Sequence, residues 1–323
     1  MALVEEIDGA ATIVETCAGI TAGERVLIVG DWRSADTAER LATAAAAVDA
    51  EPNITLMEVP AEDGNEPPAT VASAMLEADV IMLIPTRAIA HSAAVKRALE
   101  NGARVLAMGQ LSPETLVNDG LQIDFDEAAK ECEALARRFT EAEMAKVVGD
   151  GTELTFDLRD RDGNAFTSLV EEPGDFTTAY ATEANVTPTP TGTNGRAVFD
   201  GSIPNLGIGR LDENLSIEVE DGMVTEVEGG EAARKVKRTW EKYDDSAVRT
   251  VAELAVGTNP GLTEFTGGVI NDHGVYGSVH VGLGTSSNIG GETRTPLHFD
   301  ITMTDASLYL DDTLVVEDRN IVL

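Results

Sequence analysis

A chain of 323 residues with 57 acidic and 23 basic side chains carries a formal net charge of −34, which excludes partners that present a phosphate backbone or an anionic bilayer. Apolar residues make up 43% of the chain, enough for a large core and too many for a disordered segment. No apolar run approaches the ~18 residues that a membrane span needs.

Only six of the basic residues are lysines, and an acidic, lysine-poor surface is the one expected of a protein from a high-salt cytoplasm, where screening tolerates self-repulsion. The fold should therefore loosen when molar salt is exchanged for millimolar salt. Equal thermal stability by circular dichroism in both would contradict this. Cys17 and Cys132 lie far apart in helical patterns, which fits a reduced cytoplasm better than a disulfide framework. The acidic N-terminus lacks a signal-peptide pattern.

In chain order, apolar runs at Arg25–Gly30, Asn53–Val59, Val80–Ile84 and Arg104–Met108 read as strands. Helical patterns at Gly9–Ala18, Thr37–Ala50, Ala69–Leu76, Ala88–Asn101 and Asp126–Val147 separate them. Val/Ile/Leu-rich strands alternating with helices imply an α/β domain, a doubly wound parallel sheet covered on both faces, over residues 1–148. The first strand-to-helix turn reads VGDWRSAD, with neither a G-x-G-x-x-G nor a P-loop, so a nucleotide site is not expected there. His91 opens the fourth helical pattern, just past the strand end at Ile84–Pro85, and strand C-terminal ends are where ligands bind in such sheets.

Past Gly149 the texture changes to alternating strands, and residues 149–323 read as a β-rich α+β domain. Asp162-Gly163 separates Thr152–Asp157 from Phe166–Val170, and Asp221-Gly222 separates Leu215–Glu220 from Met223–Glu228, both as hairpins. Glu231–Tyr243 is the one long helix. Val269–Ile270, Val275–Leu283, Leu297–Met303, Ser307–Leu310 and Thr313–Val316 continue the antiparallel pattern.

Two of the four histidines lie in SVHVGLGTSSNIGGETRTPLHFDIT, residues 278–302. Successive strand side chains point to opposite faces. His280 then opposes Val279, Val281 and Leu283, while His298 and Asp300 share a face opposite Leu297, Phe299 and Ile301. Paired strands could bring His280, His298 and Asp300 together, and imidazole with carboxylate suits zinc, iron, cobalt or manganese.

Four stretches in this order carry a family resemblance: TEANVTPTP with GRAVFDGSIP, AELAVGTNP, GSVHVGLG and PLHFDI. Together they resemble the aminopeptidase T/aminopeptidase S type metallopeptidases, closely over the second half and more loosely over the first. The resemblance implies a two-metal hydrolase acting on small peptides, with Glu183, Glu253, His280, His298 and Asp300 as ligands to two divalent ions such as zinc, cobalt or manganese. It implies Glu183 or Glu253 as the proton shuttle, and a homodimer. Two departures stand out. Typical members carry a tyrosine seven residues after the strand histidine, where this chain has Ser287. Short relatives often show Glu-Asp-Glu-Lys where this chain has Asn271-Asp272-His273-Gly274, and His273 reads either as a residue just behind the metal ligands or as a turn histidine, the turn being the favoured reading. The same sequence neighbourhood includes ring-cleaving iron enzymes acting on dihydroxypyridines. On that alternative His280, His298 and Asp300 hold Fe(II), Glu183 and Glu253 surround them, and His91 acts as an acid–base residue. A non-catalytic relative stabilised by metal is the third reading.

Overall fold

The computed structural model describes residues 2–61, 64–90, 92–287, 289–304 and 306–323. Along the chain run α1 (Ala2–Ala11, continued by a π-helical segment Thr12–Cys17), β1 (Arg25–Asp31), α2 (Ala35–Ala47), β2 (Glu51–Met57), α3 (Ala69–Met75), β3 (Val80–Leu83), α4 (Ala93–Glu100), β4 (Arg104–Ala107) and α5 (Phe125–Glu141). There follow β5 (Met144–Gly149), β6 (Thr152–Asp157), β7 (Gly163–Phe166), β8 (Phe176–Thr178), β9 (Glu183–Val186), β10 (Thr193–Phe199), β11 (Ser202–Ile203), β12 (Gly209–Arg210), β13 (Leu215–Glu220), β14 (Met223–Glu228) and α6 (Gly230–Trp240). The last elements are β15 (Val251–Gly257), α7 (Val269–Asp272), β16 (Val279–Gly284), β17 (His298–Met303), β18 (Ala306–Leu310), β19 (Thr313–Glu317) and β20 (Asn320–Ile321).

These elements form two compact units. One ends at Ala129 and takes back Phe166–Ala181; the other holds Lys130–Ala165 and Thr182–Leu323. In the first unit β2, β1, β3, β4 and β8 make one parallel sheet in that order. β1 (RVLIVGD) is buried from its second residue onward, as a strand covered on both faces must be. β2 precedes β1 in the sheet and β3 follows it, so the chain reverses direction across the sheet as in doubly wound folds.

The second unit holds two antiparallel sheets, β14-β13-β10-β6-β5-β18-β19-β20 and β17-β16-β15-β9-β7, with a small β11-β12 ribbon. One core includes Phe156, Phe199, Ile217 and Leu308 from the first sheet and Val186, Leu254, Val281, Phe299 and Ile301 from the second. Phe299 is fully buried, with its ring 6.5 Å from that of Trp240 on α6, and burial of this size stabilises by roughly 2–3 kcal/mol. The β13–β14 hairpin turns on Asp221 and Gly222, both at positive φ, the I′ geometry that matches strand twist. Among the described residues no helix is long and apolar enough to cross a membrane.

The mixed architecture is as the sequence predicts, with four local corrections. The helix expected to reach Val147 stops at Glu141, and Met144–Gly149 is β5, the strand between β6 and β18. The boundary expected at residues 148–149 therefore falls inside the β5–β6 hairpin. Asp162-Gly163 does not close a hairpin, because β6 pairs with β5 and β10 while β7 belongs to the other sheet. Val269–Ile270 begins a short helix instead of a strand.

Candidate metal centre

The site is built on one face of the five-stranded sheet, and register explains why. Directly opposed residues of an antiparallel pair share a face. Glu253 on β15 lies opposite Gly282 on β16, and Gly282 opposite Asp300 on β17. One step along, Asn185 on β9 opposes Ala255, Ala255 opposes His280, and His280 opposes Thr302; Glu183 opposes Gly257. His298, opposite Gly284, completes the row. Polar donors on four strands are thus separated by Ala255, Gly257 and Gly282, which leave the room above the sheet that larger residues would fill. A Cβ at Gly282 would lie 2.8 Å from Glu253 Cβ, 2.9 Å from Asp300 Oδ1 and 3.1 Å from His298 Cε1. On the opposite face Val279, Val281, Leu283, Leu297, Phe299 and Ile301 all enter the core, as the alternation requires.

The ligand atoms fall into two triads, Glu183–His273–His280 and Glu253–His298–Asp300, within each of which all atoms lie within 4.8 Å of one another. In the second, His298 Nε2 is 3.1 Å from Asp300 Oδ1 and 3.4 Å from Glu253 Oε2. In the first, His280 Nε2 is 3.5 Å and His273 Nδ1 3.8 Å from Glu183 Oε2. The two meet where His273 Nε2 comes 3.2 Å from Asp300 Oδ2. The His273 and His280 rings stack with centroids 5.0 Å apart.

Outer groups orient these side chains. His298 Nδ1 is 2.7 Å from the Thr285 carbonyl, Asn185 Nδ2 donates to Glu183 Oε1 at 3.2 Å, and the Asp300 N–H donates to Asn205 Oδ1. Asn164 donates in turn to Asn185 Oδ1 and to the Ile289 carbonyl, tying the Gly-rich loop to β9. Cys132 on α5 donates its thiol to the Glu183 carbonyl.

Burial and crowding shift titrations across this cluster. Burial pushes the Glu183 carboxyl up to about 8, against the pull of His273 and with the help of Glu253 and Asp300. Burial, with His273 adding, drives His280 down to about 3. For His273 burial pulls downward, but Asp300, Glu183 and Glu253 outweigh it and hold the imidazole at about 9. His298 is likewise held well above the usual histidine range by Asp300 and Glu253 against burial. Asp300, though burial opposes it, is kept well below the usual carboxylate range by His298 and His273.

All five residues implied by the resemblance, Glu183, Glu253, His280, His298 and Asp300, meet in this cluster. The trio His280, His298 and Asp300 is divided between the triads. His91 lies outside the described residues. Ser287, at the position of the family tyrosine, is exposed and pairs with Thr285 Oγ1. The reading of His273 as a mere turn histidine is corrected: its ring is inside the cluster. An Asp-His-Gly turn has no periodicity to mark it, and only its place seven residues before His280 offered a signal.

The donor set fits a metal. Buried Glu183 Oε2, His273 Nε2 and His280 Nδ1 have no hydrogen-bond partner, which is costly unless something else satisfies them. Three imidazoles and three carboxylates suit Fe(II), zinc, cobalt or manganese, and the two triads offer two possible metal sites.

Residues 10–323 match the family described as NicX, 2,5-dihydroxypyridine 5,6-dioxygenase. The 2,5-dihydroxypyridine 5,6-dioxygenase of Pseudomonas putida KT2440 is 28% identical over 118 residues, 34% of this chain and 34% of that protein, so the alignment spans about a third of the curated relative. The solved structure of a 2,5-dihydroxypyridine dioxygenase from the same organism superposes with a TM-score of 0.82 at 19% identity, covering 98% of this chain and 96% of that one. AmpT from Thermus thermophilus superposes with a TM-score of 0.72 at 15% identity over the whole of both chains. The two likenesses establish a shared fold, which is that of aminopeptidase T as well.

Proposed function

Since the chain belongs to the NicX, or 2,5-dihydroxypyridine 5,6-dioxygenase, family, we propose that it is a non-haem Fe(II) dioxygenase that opens the ring of a dihydroxylated pyridine or a close analogue. The observation that supports this most directly is the buried cluster of three imidazoles and three carboxylates on one sheet face. His280, His298 and Asp300 provide the two imidazoles and one carboxylate that non-haem Fe(II) oxygenases use. Fe(II) held by these residues would supply a redox-active Lewis acid.

The chain's own residues do the remaining work. The Thr285 carbonyl takes the Nδ1–H of His298 and so orients the ring with Nε2 toward the centre, where an ion would take the place of its proton. Asn185 engages Glu183 Oε1 and leaves Oε2 unpaired. With its carboxyl pushed up to about 8, Glu183 holds a proton near neutral pH until an ion takes its place. Glu183, Glu253, His280 and Asp300 are all buried, which keeps competing water from the reacting face. His91 is retained in this proposal as a further acid–base group.

The test is anaerobic loading of the metal-stripped chain with Fe(II), followed by an oxygen-electrode assay on 2,5-dihydroxypyridine. The expected result is one O2 consumed per ring opened. No uptake with several dihydroxylated N-heterocycles would refute the reading. The division of the donors into two triads is the one observation that favours a second reading, a two-metal aminopeptidase on small peptides with Glu183 or Glu253 shuttling the proton. Two zinc or cobalt ions per chain together with cleavage of amino-acid arylamides would establish it instead. The homodimer implied by the resemblance belongs to the proposal and is checked by light scattering in molar salt.

Metal loading should also release protons. An incoming ion competes with the protons held on Glu183 near 8 and on His273 near 9, so apparent affinity should climb as pH rises from 6 toward 9. Calorimetry at pH 7 in buffers of different ionisation enthalpy reads the release directly. An affinity that is flat across this range would contradict it.

A further inference from the structure

His273 enters the cluster from the loop between β15 and β16, on no strand of the sheet that carries the other five groups. Two independent observations bear on what it does there. The first is where unmet hydrogen-bonding capacity lies. Glu253, His298 and Asp300 engage one another, whereas Glu183 Oε2 has no hydrogen-bond partner and is faced by His280 Nε2 at 3.5 Å and His273 Nδ1 at 3.8 Å, donors that converge without bonding one another. His273 Nε2 comes within 3.2 Å of Asp300 Oδ2 but out of line for a hydrogen bond.

The second is how firmly the preceding residue is held. Asp272 is fully buried. Its Oδ1 accepts from Thr266 N at 2.7 Å, Thr266 Oγ1 at 3.1 Å and Asn271 Nδ2 at 3.1 Å, and its Oδ2 from Gly267 N at 2.9 Å and Ser202 Oγ at 2.5 Å. Five donors on one carboxylate are far more than a four-residue helix needs for its own end. Ser202 N donates in turn to Thr302 Oγ1 at 2.7 Å, and Thr302 is the residue opposite His280 in the sheet. The backbone that carries His273 is thereby locked to the strands that carry His280 and Asp300. Networks of this kind around a ligand fix its position and tune its affinity.

We propose that His273 is a third imidazole ligand of the centre, forming with Glu183 and His280 a two-imidazole, one-carboxylate set for a divalent cation of borderline softness, and that Asp272 is the residue that positions it. This rests on the cluster binding metal and not on ring opening.

The experiment titrates the metal-stripped full chain with Co(II) in molar salt, following equivalents and affinity by calorimetry and ligand geometry by the visible d–d bands. In His273→Ala the expected result is loss of one equivalent, or binding at least about tenfold weaker at unchanged stoichiometry, with altered bands in either case. His273→Gln keeps most of the side-chain volume and carries the test where the alanine variant fails to fold by circular dichroism. Ser202→Ala, which loosens Asp272 and removes no ligand, should give a smaller loss of the same kind. Combined with His273→Ala it should add nothing, because both act on one interaction. Stoichiometry, affinity and bands unchanged in both His273 variants would overturn the ligand role, and additive losses would overturn the positioning role of Asp272. The oxygen-uptake assay reports separately: His273-dependent Co(II) binding in a chain that opens no ring leaves this proposal standing while the activity falls.

Discussion

Changing His298 to alanine is expected to abolish metal loading at the Glu253–His298–Asp300 triad and every activity that depends on it, with the fold retained. The imidazole stands between Asp300 Oδ1 and Glu253 Oε2. Without it two buried carboxylates face each other and the ion loses a nitrogen donor. Partners one step further from a metal already cost 10–100-fold in affinity when removed, so a direct ligand should cost at least about 10²-fold. The fold has little stake in this ring. Its one backbone contact is with the Thr285 carbonyl, a bond that contributes about 1 kcal/mol, and Leu297, Phe299 and Ile301 go on packing into the core from the other face. Metal analysis after dialysis, alongside a thermal melt, checks both halves. Undiminished metal content in the variant would remove His298 from the centre.

Gly282→Ala should be nearly as damaging, through a single methyl group. Gly282 is flanked by Glu253 and Asp300 in the sheet register, and the added Cβ would meet Glu253 Cβ at 2.8 Å and Asp300 Oδ1 at 2.9 Å. The Glu253 contact is with an atom next to the backbone, which cannot swing away, so the strands must part or the two carboxylates must turn out of place. Overpacking of this kind costs roughly 1–3 kcal/mol, a fall in melting temperature of several degrees for a domain of this size. Metal affinity should fall about 10²-fold because the donors no longer converge. Wild-type affinity in Gly282→Ala would show that the face has more room than these distances allow.

Much of this site could be read from the sequence because strand alternation is local. Val279, Val281 and Leu283 fix which way His280 must point, and Leu297, Phe299 and Ile301 do the same for His298 and Asp300. The same period says nothing about residues whose position depends on distant pairing. His273 follows a helix of four residues and points into the cluster only because Asp272 is gripped by Ser202 and Thr266, one of them distant in sequence. Met144–Val147 continues the apolar spacing of α5, so it reads as helix, and it becomes a strand because β6 and β18 flank it. β8 is three residues long amid acidic and glycine residues, too short for any pattern to mark, and it owes its existence to the open side of β4. The split of the six donors into two triads likewise depends on side-chain distances across four strands and a loop.

The late arrival of β8 has a consequence for the order in which the molecule can be made. β4 is complete at Ala107, but the strand that covers its outer side begins only at Phe176, after α5, β5, β6 and β7 have been synthesised. A chain grown only that far holds four strands of the parallel sheet, with β4 as an edge strand in the place that β8 later takes. Such an edge pairs readily with any other extended chain. The fifth strand of the first unit thus becomes available only after part of the second has been translated. A polypeptide ending at residue 148 contains four of the five strands of that sheet and would keep β4 as an edge for good.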